Sequence, residues 1–112
     1  MSKIIGQCNT ADFKDIEYLA VTLINPEMLD VSTLSRKQKL ALVVIAAFKE
    51  AGIKFYECRK IREILFWDDG HIAFKFLHVP GAKELLIRLN EPRVKRDIAR
   101  GIENILTVDS RQ

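Results

Sequence analysis

The sequence predicts a small α+β domain in which a central apolar helix packs with a β-hairpin and two C-terminal helices, in the order α-α-β-β-α-α. Two observations decide this class: residues 40–48 are apolar without a break inside a helical pattern, and Asp68-Asp69-Gly70 is a turn signal between β-rich runs. The 112 residues suit one domain, and a hydrophobic content of 48% excludes intrinsic disorder. We therefore expect residues 1–112 to form one globular domain, with 1–8 and 107–112 frayed.

The first helix is expected at about residues 11–24. Asn9-Thr10 followed by Asp12 is typical of a helix start, and apolar residues recur at helical spacing until Asn25-Pro26. Residues 11–30 carry five acidic side chains and one basic side chain, a local charge of −4. The outer face of this helix is therefore predicted to be acidic.

The second helix is the strongest element of the sequence. Ser35 and Gln38 have the form of a capping box, and Gly52 stands where helices commonly end in a left-handed residue. Because the middle of this helix is apolar all round, it must be covered on every side. Two interpretations stay open: the other elements wrap around it, or the chain is a homodimer in which a second copy covers part of it, with Val44 at the contact.

Residues 53–78 are predicted to be extended, with 53–58 forming a separate strand or the start of the first hairpin strand. A type I turn with Gly70 left-handed sets the hairpin register, because a one-residue slip would mix charge into the apolar face. This register pairs Trp67 with His71, Leu65 with Ala73 and Glu63 with Lys75, and it collects Ile64, Phe66, Ile72, Phe74 and Phe76 on one face. Trp67 and Leu65 then lie on the other face, where they mark a protein contact unless another helix of the chain covers them.

Two helices follow the hairpin. Residues 82–89 form the first and end at Asn90, and Glu91-Pro92 opens the second, where proline tolerates its missing amide hydrogen. The second helix has a predicted buried stripe of Val94, Ile98, Ile102 and Ile105. On its opposite side, Arg93, Arg96 and Arg100 fall within an arc of roughly 60°, which we call the arginine ridge.

Basic residues cluster in two further places. Residues 36–62 hold eight basic and two acidic side chains, a local charge of +6. Arg36 and Lys37 are at a helix N-terminus, where positive charges interact unfavourably with the helix dipole. Binding of an anionic partner would explain their presence there. Arg59, Lys60 and Arg62 stand at the base of the hairpin. For the arginine ridge taken alone, a solvated polar face is the plainer explanation, since basic clusters are a motif of low specificity. The two further clusters favour an anionic partner.

The sequence offers little to catalysis. His71 and His78 are separated by an odd number of residues on one predicted strand, so their side chains point to opposite faces and cannot share a metal. Cys8 and Cys58 stand alone, and no glycine-rich phosphate loop or paired metal ligands occur. We expect no catalytic residue, no metal and no cofactor. Without a secretory segment or an apolar run of membrane-helix length, a cytoplasmic protein that does not enter the membrane is expected.

Two functions from different classes fit these features. The first is a small non-enzymatic nucleic-acid-binding protein, DNA-binding and regulatory, in which the arginine ridge, Arg59, Lys60 and Arg62 contact phosphates. Its helices followed by a hairpin with a basic base are similar to a winged-helix module in architecture alone. The second is a protein-interaction module, such as an adaptor, inhibitor or secretion-type chaperone, that uses the apolar helix and the Trp67 face. The alignment of the arginine ridge favours the first function, and the net charge of only +3 favours the second.

Overall fold

The computed structural model describes residues 2–20 and 34–110, with side chains at 2–17 and 34–105. The elements in chain order are β1 (Ile4–Asn9), α1 (Thr10–Ala20), α2 (Arg36–Glu50), a 3-10 helix (Phe55–Lys60), β2 (Ile61–Trp67), β3 (Ile72–Phe76), α3 (Ala82–Leu89) and α4 (Pro92–Ser110). The three strands form an antiparallel sheet in the order β1-β2-β3. The chain is thus a small single domain of the α+β class, as predicted, but its element order begins with a strand.

β1 occupies residues that we expected to be frayed. It pairs with β2, which places Cys8 opposite Ile64, and both side chains are buried. At Gly6 an added Cβ would lie 3.0 Å from Cδ1 of Leu40, so a larger residue there would require the Leu40 side chain to shift by a few tenths of an ångström. The expected order α-α-β-β-α-α is therefore incomplete, because it omits the strand that pairs with the hairpin.

The starts of the first two helices follow the predicted capping signals. Asn9 Oδ1 accepts a hydrogen bond from the backbone N–H of Ala11 at 3.0 Å, and Asp12 Oδ2 accepts one from the N–H of Asn9 at 2.9 Å. The Ser35 capping box is present, with the Ser35 and Gln38 side chains each accepting the other's backbone N–H. Residues 21–24 of the expected first helix lie outside the described residues.

α2 packs against α1, α4, β1 and the 3-10 helix. Leu40, Val44 and Phe48 are at most 1% exposed. These contacts within one chain bury most of the apolar run at residues 40–48, leaving Leu42 and Val43 half-buried and Ala46 exposed. Val44 offers no surface to a partner, which corrects its assignment to a protein contact.

α4 lies close against α2 and is anchored there by its apolar stripe. Val94, Ile98 and Ile102 are buried, as the helical spacing predicts. At Gly101 an added Cβ would lie 2.6 Å from Cγ1 of Val43, so glycine permits the close approach of the two helices. This packing fixes the rotation of α4 about its axis and so decides which of its side chains face outward.

The hairpin has the predicted register. Leu65 pairs with Ala73, the Trp67 N–H donates to the His71 carbonyl at 2.9 Å, and Gly70 has a φ of +87°. The expected strand at residues 53–58 is wrong, since a 3-10 helix occupies Phe55–Lys60. Ile53 and Cys58 are both buried, and a straight strand would send side chains five residues apart to opposite faces. A helical turn lets both side chains reach the core.

Candidate functional site

The arginine ridge lies on the exposed side of α4. Arg93, Arg96 and Arg100 are all exposed, opposite the buried stripe that faces α2. No hydrogen bond or ion pair joins these three guanidinium groups to another described residue. An arginine offers a planar, permanently charged fork that matches phosphate oxygens. The structure thus leaves three such forks side by side on one rigid element.

The basic cluster of the 3-10 helix differs, because acidic neighbours neutralise part of it. Arg59 donates from Nε to Glu17 Oε1 of α1 at 2.9 Å, and its Nη2 donates to the same oxygen. Lys60 forms an ion pair with Glu57, one turn earlier, and its ammonium lies over the backbone of Gly81. The Lys60 side chain is only 25% exposed. Both cations therefore have partners within the chain.

The three remaining predicted phosphate contacts are placed separately. Arg36 donates from Nη2 to the Ile5 carbonyl at 3.2 Å, which gives this cation at the start of α2 a structural role at the edge of β1. Lys37 and Arg62 are exposed, and no hydrogen bond or ion pair joins the charged side chain of either to another residue in the described part of the chain. The eight predicted cations are distributed over four elements, namely α2, the 3-10 helix, β2 and α4.

The face of the sheet predicted for protein contact is mostly covered. Leu65 is 9% exposed and Trp67 is half-buried, with its ring edge-on to His71 at a centroid distance of 5.7 Å. His71 itself is exposed and lies just before β3 rather than on it. Trp67 lines a cavity beside α4, so it still contributes to a surface feature.

Large exposed apolar side chains instead lie on α3 and on the loop before it, a surface that the sequence analysis missed. Val79, Leu86 and Ile87 are 40%, 36% and 69% exposed. The signal was present in the sequence: Leu85, Leu86, Ile87 and Leu89 are too closely spaced to share one stripe of a helix, so some of them must face away from the core. We call Val79, Leu86 and Ile87 the α3 apolar surface.

The two thiols are unsuited to nucleophilic chemistry. Burial raises the pKa of Cys58 to about 11, and the nearby Glu17 carboxylate adds to the effect. Burial likewise raises the pKa of Cys8 far above its usual range. Both thiols therefore stay protonated near neutral pH, whereas the thiolate is the nucleophile. Among the described residues no group of three or more His, Cys, Asp or Glu side chains is arranged to hold a metal ion.

Comparisons with known proteins supply no relative. No family model, no curated protein and no solved structure matches this chain. In the described ranges no helix has both the length and the apolar character needed to cross a bilayer.

Proposed function

We propose that the chain is a small non-enzymatic nucleic-acid-binding protein, DNA-binding and regulatory, that contacts phosphates through the arginine ridge of α4. One observation carries the proposal: Arg93, Arg96 and Arg100 are exposed on one side of a helix and have no ion pair with a described residue. Solvation of a helix surface does not require side chains of the same charge to lie in a row. A nucleic-acid backbone is a row of phosphates, so cations in a row on the protein strengthen the binding. Lys37 and Arg62 are further exposed cations that can add to the attraction.

The other predicted contacts take a smaller part in this proposal. Arg59 and Lys60 are paired with Glu17 and Glu57, so a phosphate would have to displace a carboxylate from each. The hairpin turn carries Asp68 and Asp69, both exposed, which would be repelled by a phosphate backbone. The similarity to a winged-helix module predicts that the hairpin tip leads the docking. The two carboxylates at the turn make this arrangement unfavourable. We propose instead that α4 leads the contact.

A salt titration tests the proposal. Fluorescence anisotropy of a labelled DNA duplex is followed at several salt concentrations for the native chain and for a triple variant, R93Q/R96Q/R100Q. Each phosphate contact changes the slope of log affinity against log salt by about −0.9, so three contacts from the ridge contribute about −2.7, which the variant loses. The paired-cation variant R59Q/K60Q is the matched control and should keep most of the slope.

Two results would reject the proposal. One is an absence of duplex binding by the native chain even at low salt. The other is an unchanged slope in R93Q/R96Q/R100Q, provided that its circular dichroism and urea midpoint match those of the native chain. The same titration with single-stranded RNA identifies which nucleic acid is preferred.

A second candidate, a protein-contact function, is favoured by the α3 apolar surface. Val44 is buried within one chain, so a homodimer cannot use it as a contact. Val79, Leu86 and Ile87 provide exposed apolar area for such self-association. Light scattering at rising protein concentration tests it: a native dimer that L86D/I87D converts to a monomer supports it, and a native monomer throughout rejects it.

A further inference from the structure

A cavity of about 500 Å³ lies between the hairpin turn and the middle of α4. Its inner part is apolar and includes Phe66, Ile72 and Ile102, side chains that come from β2, β3 and α4. Small-molecule sites are typically concave, apolar at the base and about 300–1,000 Å³ in volume. The cavity has the size and the lining of a site for a small ligand, and neither the core nor the arginine ridge accounts for it.

The polar groups around this cavity are predominantly acidic. Asp68, Asp69 and Glu103 line it, and no lysine or arginine is among its lining residues. This excess is local, because the whole chain carries a net charge of +3. His71 is the remaining titratable lining group, and it is exposed to solvent. Charge complementarity therefore favours a cationic ligand over an anionic one.

Two of the carboxylates are held in place by the first residues of the chain. Asp69 Oδ2 accepts a hydrogen bond from the Ser2 hydroxyl at 2.7 Å, and this bond, with a second from the His71 backbone N–H, lowers the pKa of Asp69. Asp68 Oδ1 accepts from the backbone N–H of Lys3 at 3.2 Å. These bonds keep the Asp69 carboxylate ionised and fix both groups at the mouth of the cavity.

The Glu103 carboxylate differs from those of the two aspartates because no hydrogen bond or ion pair joins it to another described residue. It lies on α4 one residue beyond Ile102, whose side chain is buried and lines the apolar base. A ligand whose apolar group contacts Ile102 would thus have the Glu103 carboxylate, on the next residue of the helix, near its charged end. Trp67 lines the same cavity, and aromatic faces attract cations.

We propose that this cavity binds a small organic cation, namely a primary amine attached to an aromatic or branched aliphatic group. The apolar group lies against Phe66, Ile72 and Ile102, and the ammonium lies among the carboxylates at the mouth. This site shares no lining residue with the arginine ridge, although Glu103 follows Arg100 by one turn of α4 and the two surfaces adjoin there. The amine titration and the DNA titration test the two proposals separately.

Trp67 provides the measurement, because it is the only tryptophan of the chain and lines the cavity. Its fluorescence is titrated at low salt with three probes of similar shape: 2-phenylethylamine, the neutral 2-phenylethanol and the anionic 3-phenylpropanoate. We expect a saturable change with the amine, an apparent affinity at least fivefold weaker for the alcohol, and no saturation with the acid.

A carboxylate variant tests the assignment of the charged end. E103Q should weaken amine binding about three- to tenfold and leave alcohol binding unchanged, since only the amine uses the charge. D97N is the matched control, because it removes a carboxylate from the same helix outside this cavity and should leave amine binding unchanged.

Three results would overturn the proposal. They are a lack of saturation with the amine, equal responses to all three probes, and equal effects of E103Q and D97N on amine binding. Glu103 is exposed, so E103Q should fold, and an unchanged urea midpoint confirms that a loss of binding is local.

Discussion

The 3-10 helix and α4 carry basic clusters that look alike along the chain but differ in the structure. Arg59 and Lys60 of the 3-10 helix are each paired with a carboxylate, one from α1 and one from the helix itself. Arg93, Arg96 and Arg100 of α4 have no such partner among the described residues. A run of cations in a sequence therefore does not by itself describe an electropositive surface, because tertiary packing decides which of them meet acidic groups.

The difference arises from what each helix packs against. The 3-10 helix packs against the acidic α1, so Arg59 lies beside Glu17, whereas α4 packs by its apolar stripe and turns its arginines away from the chain. Four experiments test this contrast, in order of decreasing expected effect.

The largest effect is expected from the inner face of α4. Ile98 is fully buried, so I98A should lower the free energy of unfolding by about 2–5 kcal/mol through lost burial and a cavity. R96A, two residues earlier on the exposed face, should change it by less than about 0.5 kcal/mol. Urea unfolding measures both. Equal losses would show that the ridge is structural and would break the contrast between the two clusters.

The next effect concerns the contact that fixes the rotation of α4. G101A places a methyl group 2.6 Å from Cγ1 of Val43, and overpacking of this kind costs about 1–3 kcal/mol, partly offset by the better helix propensity of alanine. In the V43A background, where the clashing methyl groups are absent, adding G101A should lower the free energy of unfolding much less than it does in the native chain. A double-mutant cycle by urea unfolding measures the coupling, and additive effects would mean that the two helices do not meet there.

The thiol of the 3-10 helix gives a smaller, pH-dependent effect. The pKa of Cys58 is about 11 in the folded chain against an ordinary 9.0, so above pH 9 the unfolded chain loses this proton first and stability falls. We expect a loss of roughly 1 kcal/mol between pH 8 and 10, moderated by partial solvent access. Urea unfolding at each pH measures it. C58A should show a shallower decline, and an equal decline would exclude this thiol as its source.

The smallest effect is expected from the ion pair that neutralises Arg59. The Arg59 side chain is 69% exposed, so E17Q should cost less than about 1 kcal/mol of stability. It also frees a guanidinium, so affinity for a DNA duplex at low salt should rise about two- to threefold by anisotropy. Unchanged or weaker binding would indicate that the 3-10 helix lies away from the nucleic acid.

Local signals in the sequence predicted most of the helices and the hairpin. The capping box at Ser35, the Asp68-Asp69-Gly70 turn and the stripe on α4 each depend on residues close together in the chain, and each is confirmed. β1 was missed because its strand character comes from pairing with β2, and no local pattern indicates a partner so far away. The 3-10 helix was missed because the local composition is typical of a strand. The conformation is determined instead by the burial of both Ile53 and Cys58 in the core.

The candidate site was predicted less completely than the fold. The outward direction of the arginine ridge follows from helical spacing and is confirmed by the exposure of its three side chains. The pairing of Arg59 with Glu17 joins residues 42 positions apart, and spacing along the chain gives no sign of it. The cavity beside Trp67 likewise combines residues from β1, the hairpin and α4, so it exists only after the chain has folded.

The pairing of β1 with β2 also has a consequence for how the chain is made. Ile4–Asn9 is synthesised early, yet its partner Ile61–Trp67 follows more than fifty residues later, so a growing chain carries an unpaired strand until β2 has emerged from the ribosome. The β2–β3 hairpin closes over a short loop and forms quickly, whereas joining β1 requires closing a much longer one. Folding should therefore incorporate β1 after the hairpin has formed, although β1 is synthesised before either hairpin strand.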